Sequence, residues 1–181
     1  MLLDCEITKE WTLFLDRDGV INKRNFHGYI TTVSEFEFLS HALDGIAKLS
    51  ELFGHVIVVT NQQGIGKNVM TSCNLSSIHD YMRNEIKKAG GTVSEVFYAA
   101  NLRGSENDRR KPLPFMGLEA KKKFPEIDFS KSIMVGDTDS DIQFGMNLGM
   151  YTVAVISEEK LTKSPDLRVN DLNELYKKLK K

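Results

Sequence analysis

The chain has 181 residues, of which 41% are hydrophobic and 27% charged, and its formal net charge is −1. A chain of this length can bury a core of its own, so we expect residues 1–181 to form one domain. The even balance of 24 Lys+Arg against 25 Asp+Glu argues against a protein that binds nucleic acid by bulk electrostatic attraction.

The sequence also bears on the cellular compartment. No apolar stretch approaches the roughly 20 residues of a membrane span, and the amino terminus has acids where a signal peptide would need positive charge. Cys5 and Cys73 make neither a disulfide framework nor a four-ligand zinc site. The lysines of residues 176–181 suit the solvated end of a helix. These features predict a cytoplasmic protein without a membrane partner.

Taken in chain order, two kinds of hydrophobic pattern alternate. Continuous apolar runs, which are typical of strands buried on both faces, lie at 12–15, 56–59, 96–99, 133–135 and 151–156. Segments with helical spacing lie at 41–53, 74–89, 114–124, 140–148 and 171–179. The alternation predicts a three-layer α/β fold with a mostly parallel central sheet and helices on both faces. Such sheets bind ligands beyond the carboxyl ends of their strands.

The first apolar run ends in Asp16 and Asp18, followed by Gly19. On a continuing strand the two carboxylates would face the same side and repel each other unless positive charge lay between them. A turn at Gly19 would let both converge on one site. An acidic turn that only ends the strand is the alternative, and this motif alone does not decide between the two.

The second run ends in Thr60, Asn61 and Gln62. A hydroxyl, carboxamides and nearby backbone N–H groups can hold phosphoryl oxygens. The same residue types often cap the next helix, and the motif alone favours that simpler use.

The third motif is Arg110 and Lys111, followed by a proline that disfavours helical geometry at the lysine. Lysine is a compact charge that often binds phosphate, and arginine can grip a phosphate through two donors. An exposed basic loop before a helix is the alternative.

The fourth motif follows the run at 133–135 and contains Asp137, Asp139 and Asp141. Beside Asp16 and Asp18, three more carboxylates would repel strongly unless a cation were present. Hard oxygen ligands suit Mg²⁺, which binds few carboxylates and keeps several waters. Asp139 and Asp141 could also cap the helix that follows, and the two uses can coexist.

In this order, each after a predicted strand, the four motifs resemble those of the haloacid dehalogenase-like phosphatases. The resemblance runs from Asp16 to Asp141, and the remaining elements fit that Rossmann-like fold. Residues 14–22, 28–29, 60–62 and 110–112 are more specific. They resemble the D-glycero-D-manno-heptose 1,7-bisphosphate phosphatases and the related histidinol-phosphate phosphatases.

The resemblance implies Mg²⁺-dependent hydrolysis of a phosphate monoester through a phospho-aspartate. Asp16 would be the nucleophile and Asp18 the general acid and then base, so the pKa of Asp18 should lie above that of Asp16 in the complex. The implied metal ligands are the carboxylates of Asp16 and Asp137 and the backbone carbonyl of Asp18, with Asp141 behind them. Thr60 and Lys111 are the implied phosphoryl-oxygen donors.

The intervals between the motifs are too short for a folded cap domain, so we expect loops to roof the site, at 23–32 and 101–109. The residues that the resemblance and the loop positions suggest for substrate binding are His27, Gly28, Tyr29, Asn61, Gln62 and Arg110. His27 is equally consistent with a solvent-facing loop residue.

The chain departs from the resembled group at two places. Many members hold a structural zinc in the loop before the third motif, but residues 98–108 contain no Cys or His, so we expect no zinc. Thr138 stands where heptose enzymes often have a lysine that contacts substrate. Both departures weaken the substrate assignment and leave the phosphatase chemistry unaffected.

We therefore expect a monomeric enzyme of carbohydrate metabolism that hydrolyses a small phosphorylated metabolite, with D-glycero-D-manno-heptose 1,7-bisphosphate as the first candidate. Histidinol phosphate or another sugar phosphate is the alternative. A non-catalytic binding protein with this fold could have lost Asp16 or Asp18, and both are present. A phosphatase of nucleic-acid 3′ ends would need a basic channel, which the charge distribution does not offer.

Overall fold

The strands of the protein form a single six-stranded parallel sheet in a computed structural model that describes residues 6–180. The strand order is β3-β2-β1-β4-β5-β6, so β1 lies inside the sheet with β2 on one side and β4 on the other. The strands are β1 (Thr12–Leu15), β2 (His55–Asn61), β3 (Glu95–Ala99), β4 (Ser132–Gly136), β5 (Tyr151–Val155) and β6 (Leu167–Val169).

Helices cover both faces of the sheet and produce the three-layer α/β fold that the sequence predicts. They are α1 (Ala42–Leu52), α2 (Gln63–Gly66), α3 (Ser72–Lys88), α4 (Phe115–Lys123), α5 (Asp139–Leu148) and α6 (Leu172–Leu179), with short 3₁₀ turns at Val33–Glu35 and Phe129–Lys131. Side chains alternate across β1. Leu13 and Leu15 pack in the larger core with α1, α3 and α6, and Phe14 packs in the smaller core with α4 and α5.

Two elements were absent from the sequence prediction, and several bounds differ. Strand β6 lies at the edge of the sheet, next to β5. It has only three residues, of which Arg168 is exposed, so it has no continuous apolar run. Helix α2 has four residues and is too short for a periodic pattern. Strand β2 begins one residue before the predicted run and extends through Asn61, which places the second motif on the strand itself.

Some predictions concern residues 1–5 and 181, which lie outside the described part of the chain. They are the acidic amino terminus, Cys5 and the final lysine. Within residues 6–180, no helix combines the length and the apolarity needed to cross a bilayer.

The sheet brings three of the four motifs to one edge, which is formed by the carboxyl ends of its strands. Leu15 of β1 pairs in register with Val58 of β2 and with Val135 of β4, so the residues that follow lie at the same level. β1 has a neighbour from each half of the chain, and the crevice at such a switch point is where open α/β sheets bind ligands.

Candidate active site

The turn after β1 presents Asp16 and Asp18 to this crevice. The backbone carbonyl of Arg17 accepts hydrogen bonds from the N–H groups of the three residues 20–22, which closes the turn tightly. Gly19 has φ +97°, a conformation that side chains with a Cβ rarely adopt. A Cβ at Gly19 would also overlap the carboxylate of Asp137. Glycine here therefore allows both the turn and the close approach of the fourth motif to the first.

Lys111 connects the first, second and fourth motifs. Its Nζ lies 2.7 Å from Asp16 Oδ1 and 2.6 Å from Asp141 Oδ1, and it donates to the carbonyl of Val59 at 2.7 Å. The Lys111 and Asp141 side chains are 1% exposed and that of Asp16 is 8% exposed. Burial opposes the charge on Lys111, but the two carboxylates raise its pKa above the ordinary value. The lysine is therefore a fixed positive charge directly beside the Asp16 carboxylate.

Asp18 is held by donors on both carboxylate oxygens. Arg17 Nη2 donates to both oxygens at 2.9 Å, Asn22 Nδ2 donates to Oδ1 at 2.9 Å, and Gln62 Nε2 donates to Oδ2 at 3.0 Å. Burial works in the opposite direction, but Arg17 and these amides together lower the pKa of Asp18. Burial, with the negative charge of Asp141, raises the pKa of Asp16. In this geometry the pKa of Asp16 is raised and that of Asp18 is lowered. The mechanism expects the opposite order in the complex, with the pKa of Asp18 above that of Asp16.

Arg17 is itself fixed by His79 of α3. Arg17 Nη1 lies 3.3 Å from His79 Nε2, and the guanidinium lies over the ring of Phe36, 5.9 Å from its centre. A guanidinium can only donate, so Nε2 accepts and the proton of the neutral imidazole is on Nδ1. Burial, followed by the charge of Arg17, lowers the pKa of His79 to about 3. His79 is therefore a neutral acceptor behind the Arg17–Asp18 pair.

The second motif supports its neighbours from the end of β2. Gln62 Nε2 donates to Thr60 Oγ1 at 2.8 Å as well as to Asp18. Asn61 exchanges hydrogen bonds with the backbone of Lys111, accepting from its N–H at 2.8 Å and donating to its carbonyl at 3.2 Å. Asn61 thereby fixes the loop from which the lysine extends.

The fourth motif serves both uses that the sequence left open. Asp141 accepts hydrogen bonds from the backbone N–H of Thr138 at 3.0 Å and from its hydroxyl at 2.6 Å, which caps α5. Its other oxygen faces Lys111. Asp139 instead accepts from the backbone N–H groups of Thr162 and Lys163, and so ties the loop after β5 to the helix.

Asp137 lies opposite Asp16, with Arg24 between them. Arg24 Nη2 lies 2.6 Å from Asp137 Oδ1, donates to the backbone carbonyl of Asp18 at 2.8 Å, and lies 3.8 Å from Asp16 Oδ2. Burial and the neighbouring charge of Asp16 raise the pKa of Asp137 to about 7, although Arg24 acts against this rise.

These residues fit a divalent cation. Asp16, Asp137 and Asp141 each offer a carboxylate oxygen, and the three atoms lie within 4.8 Å of one another. Asp137 Oδ2 is buried and has no hydrogen-bond partner among the described residues, so it is an acceptor that a cation would satisfy. Because Lys111 and the α5 cap occupy Asp141, the oxygens best placed to hold Mg²⁺ are those of Asp16 and Asp137 and the Asp18 carbonyl.

A cavity of about 310 Å³ opens at this edge of the sheet and collects most of the predicted site residues. The predicted residues that line it are Asp16, Asp18, Gly28, Tyr29, Thr60, Asn61, Gln62, Arg110, Lys111 and Asp141. Asp137 lies behind Arg24 and lines an adjacent cavity that Arg24 also borders. Gln63 links two of the substrate-binding candidates, since it accepts from Arg110 Nη1 at 2.7 Å and donates to the Tyr29 hydroxyl at 3.3 Å.

One expectation about the roof of the site requires correction. The residues that line this cavity include the loop at 23–32 but none of residues 101–109, because that loop packs against α2, where the Arg103 N–H donates to Gln63 Oε1. Glu159, from the loop after β5, lines the cavity instead. His27 is exposed and is not among the lining residues, in agreement with the solvent-facing alternative.

Four residues with ionisable side chains that the sequence analysis did not assign contribute to this site. They are Arg17, Arg24, His79 and Glu159. Arg17 could have been found, since it stands between two aspartates that need a positive charge between them. Arg24, His79 and Glu159 lie in no local pattern that distinguishes them from surface residues, and only the folded chain brings them to the first motif.

Known proteins resemble this chain in both sequence and fold. The model of the HAD-hydrolase-like family matches residues 108–175. A D-glycero-alpha-D-manno-heptose-1,7-bisphosphate 7-phosphatase from Campylobacter jejuni is 35% identical over 156 residues, which cover 84% of this chain and 86% of the relative. The chain belongs to the haloacid dehalogenase-like phosphatases.

Two further relatives support this family assignment. The D-glycero-beta-D-manno-heptose-1,7-bisphosphate 7-phosphatase of Escherichia coli K12 is 29% identical over 93% of both chains. A crystal structure of D,D-heptose 1,7-bisphosphate phosphatase from B. bronchiseptica, complexed with magnesium and phosphate, superposes with a TM-score of 0.84 at 25% identity and covers 93% of this chain and 97% of that one. The family likeness thus extends over nearly the whole phosphatase fold, including the edge of the sheet where the motifs meet.

Proposed function

We propose that this phosphatase hydrolyses the C7 phosphate ester of D-glycero-D-manno-heptose 1,7-bisphosphate and requires Mg²⁺. The observation that carries the proposal is the placement of Asp16 between Lys111 and Arg24 in a cavity that Asp18 and Thr60 also line. A carboxylate flanked by fixed cations is suited to attack a dianionic phosphate. The proposed substrate is that of the heptose-1,7-bisphosphate 7-phosphatases that resemble the chain over most of its length.

In the proposed first step, a carboxylate oxygen of Asp16 forms a bond to phosphorus as the bond from phosphorus to the C7 oxygen breaks. Asp18 gives its proton to that leaving oxygen. In the second step water attacks the phospho-aspartate, Asp18 takes the proton from the water, and inorganic phosphate leaves with Asp16 restored. Two steps through a carboxylate replace one difficult attack by water.

For Asp18 to be the acid, its pKa must rise when substrate binds. The phosphate dianion brings negative charge close to Asp18, and a nearby like charge raises the pKa of a carboxyl group. A phosphoryl oxygen can also compete for the amide N–H of Gln62, which otherwise donates to Asp18 Oδ2. A bound Mg²⁺ supplies positive charge that lowers the pKa of Asp16 and stabilises charge on the phosphoryl oxygens. The phosphate thus raises the pKa of Asp18 and the cation lowers that of Asp16. These shifts favour the order that the mechanism needs, with the pKa of Asp18 above that of Asp16.

Arg110 is the proposed contact for the second phosphate of the substrate. It lies at the rim of the cavity, where Gln63 holds its Nη1, and its Nε has no hydrogen-bond partner among the described residues. A guanidinium held in this way can bind a phosphate through two donors. The C. jejuni relative, a phosphatase of the α-bisphosphate, is 35% identical to this chain, whereas the E. coli relative, a phosphatase of the β-bisphosphate, is 29% identical. We therefore propose the α anomer as the preferred substrate.

The test is phosphate release from a panel of substrates at saturating Mg²⁺, with kcat/KM as the readout. The panel holds both anomers of the heptose bisphosphate, histidinol phosphate, a hexose 6-phosphate and a 3′-phosphorylated oligonucleotide. We expect the highest kcat/KM for the α-bisphosphate, and we expect ³¹P NMR of the product to show that the C1 phosphate is retained. A higher kcat/KM for histidinol phosphate would overturn the substrate, and turnover of none of them would favour a binding protein.

The matched variants are Asp16→Asn and Asp80→Asn, which make the same chemical change. Asp80 is exposed on α3, whereas Asp16 lies beside Lys111 in the cavity. We expect Asp16→Asn to lose at least about 10³-fold in kcat because the nucleophile is removed, and Asp80→Asn to keep the wild-type rate. Equal activity of Asp16→Asn and the wild type would refute the assignment of the nucleophile.

A further inference from the structure

One nitrogen of the Arg24 guanidinium faces all three residues that are best placed to hold Mg²⁺. Its Nη2 lies 2.6 Å from Asp137 Oδ1, 2.8 Å from the Asp18 carbonyl oxygen and 3.8 Å from Asp16 Oδ2. One positively charged nitrogen thus lies within 3.8 Å of an oxygen of each proposed ligand residue. A divalent cation held by these three residues would compete with this nitrogen, because both positive charges would be drawn to the same groups.

We propose that Arg24 is a built-in competitor of the divalent ion: it neutralises the ligand oxygens until the ion displaces its guanidinium. The inference rests on the metal ligands assigned under the proposed function. It adds a residue of the loop at 23–32 to the machinery that determines how tightly the ion binds.

The charges around the site explain why such an exchange is favourable for catalysis. The acids Asp16, Asp18, Asp137 and Asp141 face the cations Arg17, Lys111 and Arg24. With the guanidinium in place and all four acids ionised, four negative charges meet three positive ones. Replacement of the guanidinium, which carries one positive charge, by a divalent ion would leave four positive and four negative charges. The exchanged site is therefore better able to accept a phosphate dianion, which repulsion would otherwise keep from Asp16.

The surroundings of Arg24 provide a place for the displaced side chain. Its Nη1 already lies 3.6 Å from Glu159 Oε1, and the Glu159 side chain is 38% exposed. A second cavity of about 590 Å³ is lined by Arg24 and Glu158, and Lys111 is not among its lining residues. The Nε of Arg24 is a buried donor without a hydrogen-bond partner among the described residues, so a move toward the Glu159 carboxylate would offer it an acceptor.

The test is Arg24→Met, with Mg²⁺ affinity measured by isothermal titration calorimetry on protein treated with EDTA and then dialysed. Methionine keeps an unbranched apolar side chain at this position and removes the charge. We expect Mg²⁺ to bind about tenfold more tightly to the variant, because the ion no longer has to break charge-assisted hydrogen bonds. We also expect the variant to have a lower Tm than the wild type in EDTA and a larger rise in Tm on addition of Mg²⁺.

Lys23→Met is the matched control because it removes the same charge from the adjacent position. The Lys23 side chain is 57% exposed and pairs with Glu37 on the surface. We expect its Mg²⁺ affinity and its Tm in EDTA to equal those of the wild type within error. If Arg24→Met binds Mg²⁺ no more tightly than Lys23→Met, or binds it more weakly, the competition is refuted.

Asp137→Asn separates this inference from the proposed function. If the wild type binds Mg²⁺ and Asp137→Asn binds it at least tenfold more weakly, the ligand set is supported, and an unchanged affinity of Arg24→Met refutes only the role of Arg24. If Asp137→Asn binds Mg²⁺ as tightly as the wild type, the assigned ligand set fails, and the inference about Arg24 fails with it.

Discussion

The side chain of Arg17 makes the two aspartates that flank it chemically different. It donates to both oxygens of Asp18, whereas Asp16 faces Lys111 and the other acids. A carboxylate saturated with donors keeps its charge, and a buried carboxylate beside other carboxylates resists charge. Two identical residues in one short turn can therefore take different roles, and substrate binding can change which of them holds a proton.

His79 makes the stability of the fold depend on pH. Because burial and Arg17 lower its pKa from 6.5 to about 3, below pH 6.5 the unfolded chain binds a proton that the folded chain does not. The free energy of unfolding must therefore fall as the pH falls from about 6.5 towards 3, by at most about 1.4 kcal/mol per pH unit from this residue.

Replacement by glutamine isolates this contribution, since its amide oxygen can accept from Arg17 but does not titrate. We expect the free energy of unfolding, measured with urea in EDTA between pH 7.5 and 4.5, to decrease less steeply for His79→Gln than for the wild type. His27→Gln removes an exposed histidine and should follow the wild-type slope. Parallel slopes for His79→Gln and the wild type would show that folding does not lower the pKa of His79.

At the scale of elements, the sequence predicts those that are long or buried. Strands β1, β2, β4 and β5 have continuous apolar runs because both of their faces are covered by helices, whereas the edge strand β3 has such a run although it is only partly buried and leaves Tyr98 exposed. The five long helices bury one apolar side each. β6 and α2 were missed because three or four residues cannot show a period. Arg168 on β6 is exposed, as is common in edge strands.

The packing of α1 against α6 depends on Gly45. A Cβ at Gly45 would lie 2.6 Å from Leu172 Cβ and 3.1 Å from the Leu172 backbone carbon, so the two helices would have to separate. We expect Gly45→Ala to lower the free energy of unfolding by about 1–3 kcal/mol, although alanine favours a helix by about 1 kcal/mol over glycine. Urea denaturation measures the difference.

Gly117→Ala is the matched control in α4. A Cβ there would overlap Cδ1 of Leu148, the far end of a flexible side chain that can rotate away. Because the gain in helix propensity is the same, we expect Gly117→Ala to stay within about 1 kcal/mol of the wild type. If both alanine variants lost the same free energy, rigid contact between α1 and α6 would not be the cause.

At the scale of the whole molecule, the site could be predicted wherever the topology alone positions it. Asp16, Thr60 and Asp137 follow or end neighbouring parallel strands, so the rule for open α/β sheets places them at one edge. Arg24 and Glu159 extend from loops, whose course depends on contacts with the rest of the folded chain. Their approach to the motifs therefore could not be derived from spacing along the sequence.

Lys111 connects parts of the chain that are far apart in sequence, and we expect its loss to affect the stability of the whole domain. Its Nζ contacts Asp16 after β1, the Val59 carbonyl in β2 and Asp141 in α5. In Lys111→Met the two carboxylates lose their buried partner, so we expect a loss of about 3–5 kcal/mol in the free energy of unfolding, measured with urea in EDTA. Lys123→Met removes an exposed lysine that pairs with Glu95 and should lose less than about 1 kcal/mol.

A double-mutant cycle with Asp141→Asn tests the electrostatic cause. Asparagine can still cap α5, so this change removes mainly the charge. If unpaired buried charge destabilises Lys111→Met, the double variant must be more stable than Lys111→Met alone, because one of the two uncompensated carboxylates is gone. If the effects of Lys111→Met and Asp141→Asn simply add, the lysine stabilises the fold through its packing, and the charge that faces Asp16 serves catalysis alone.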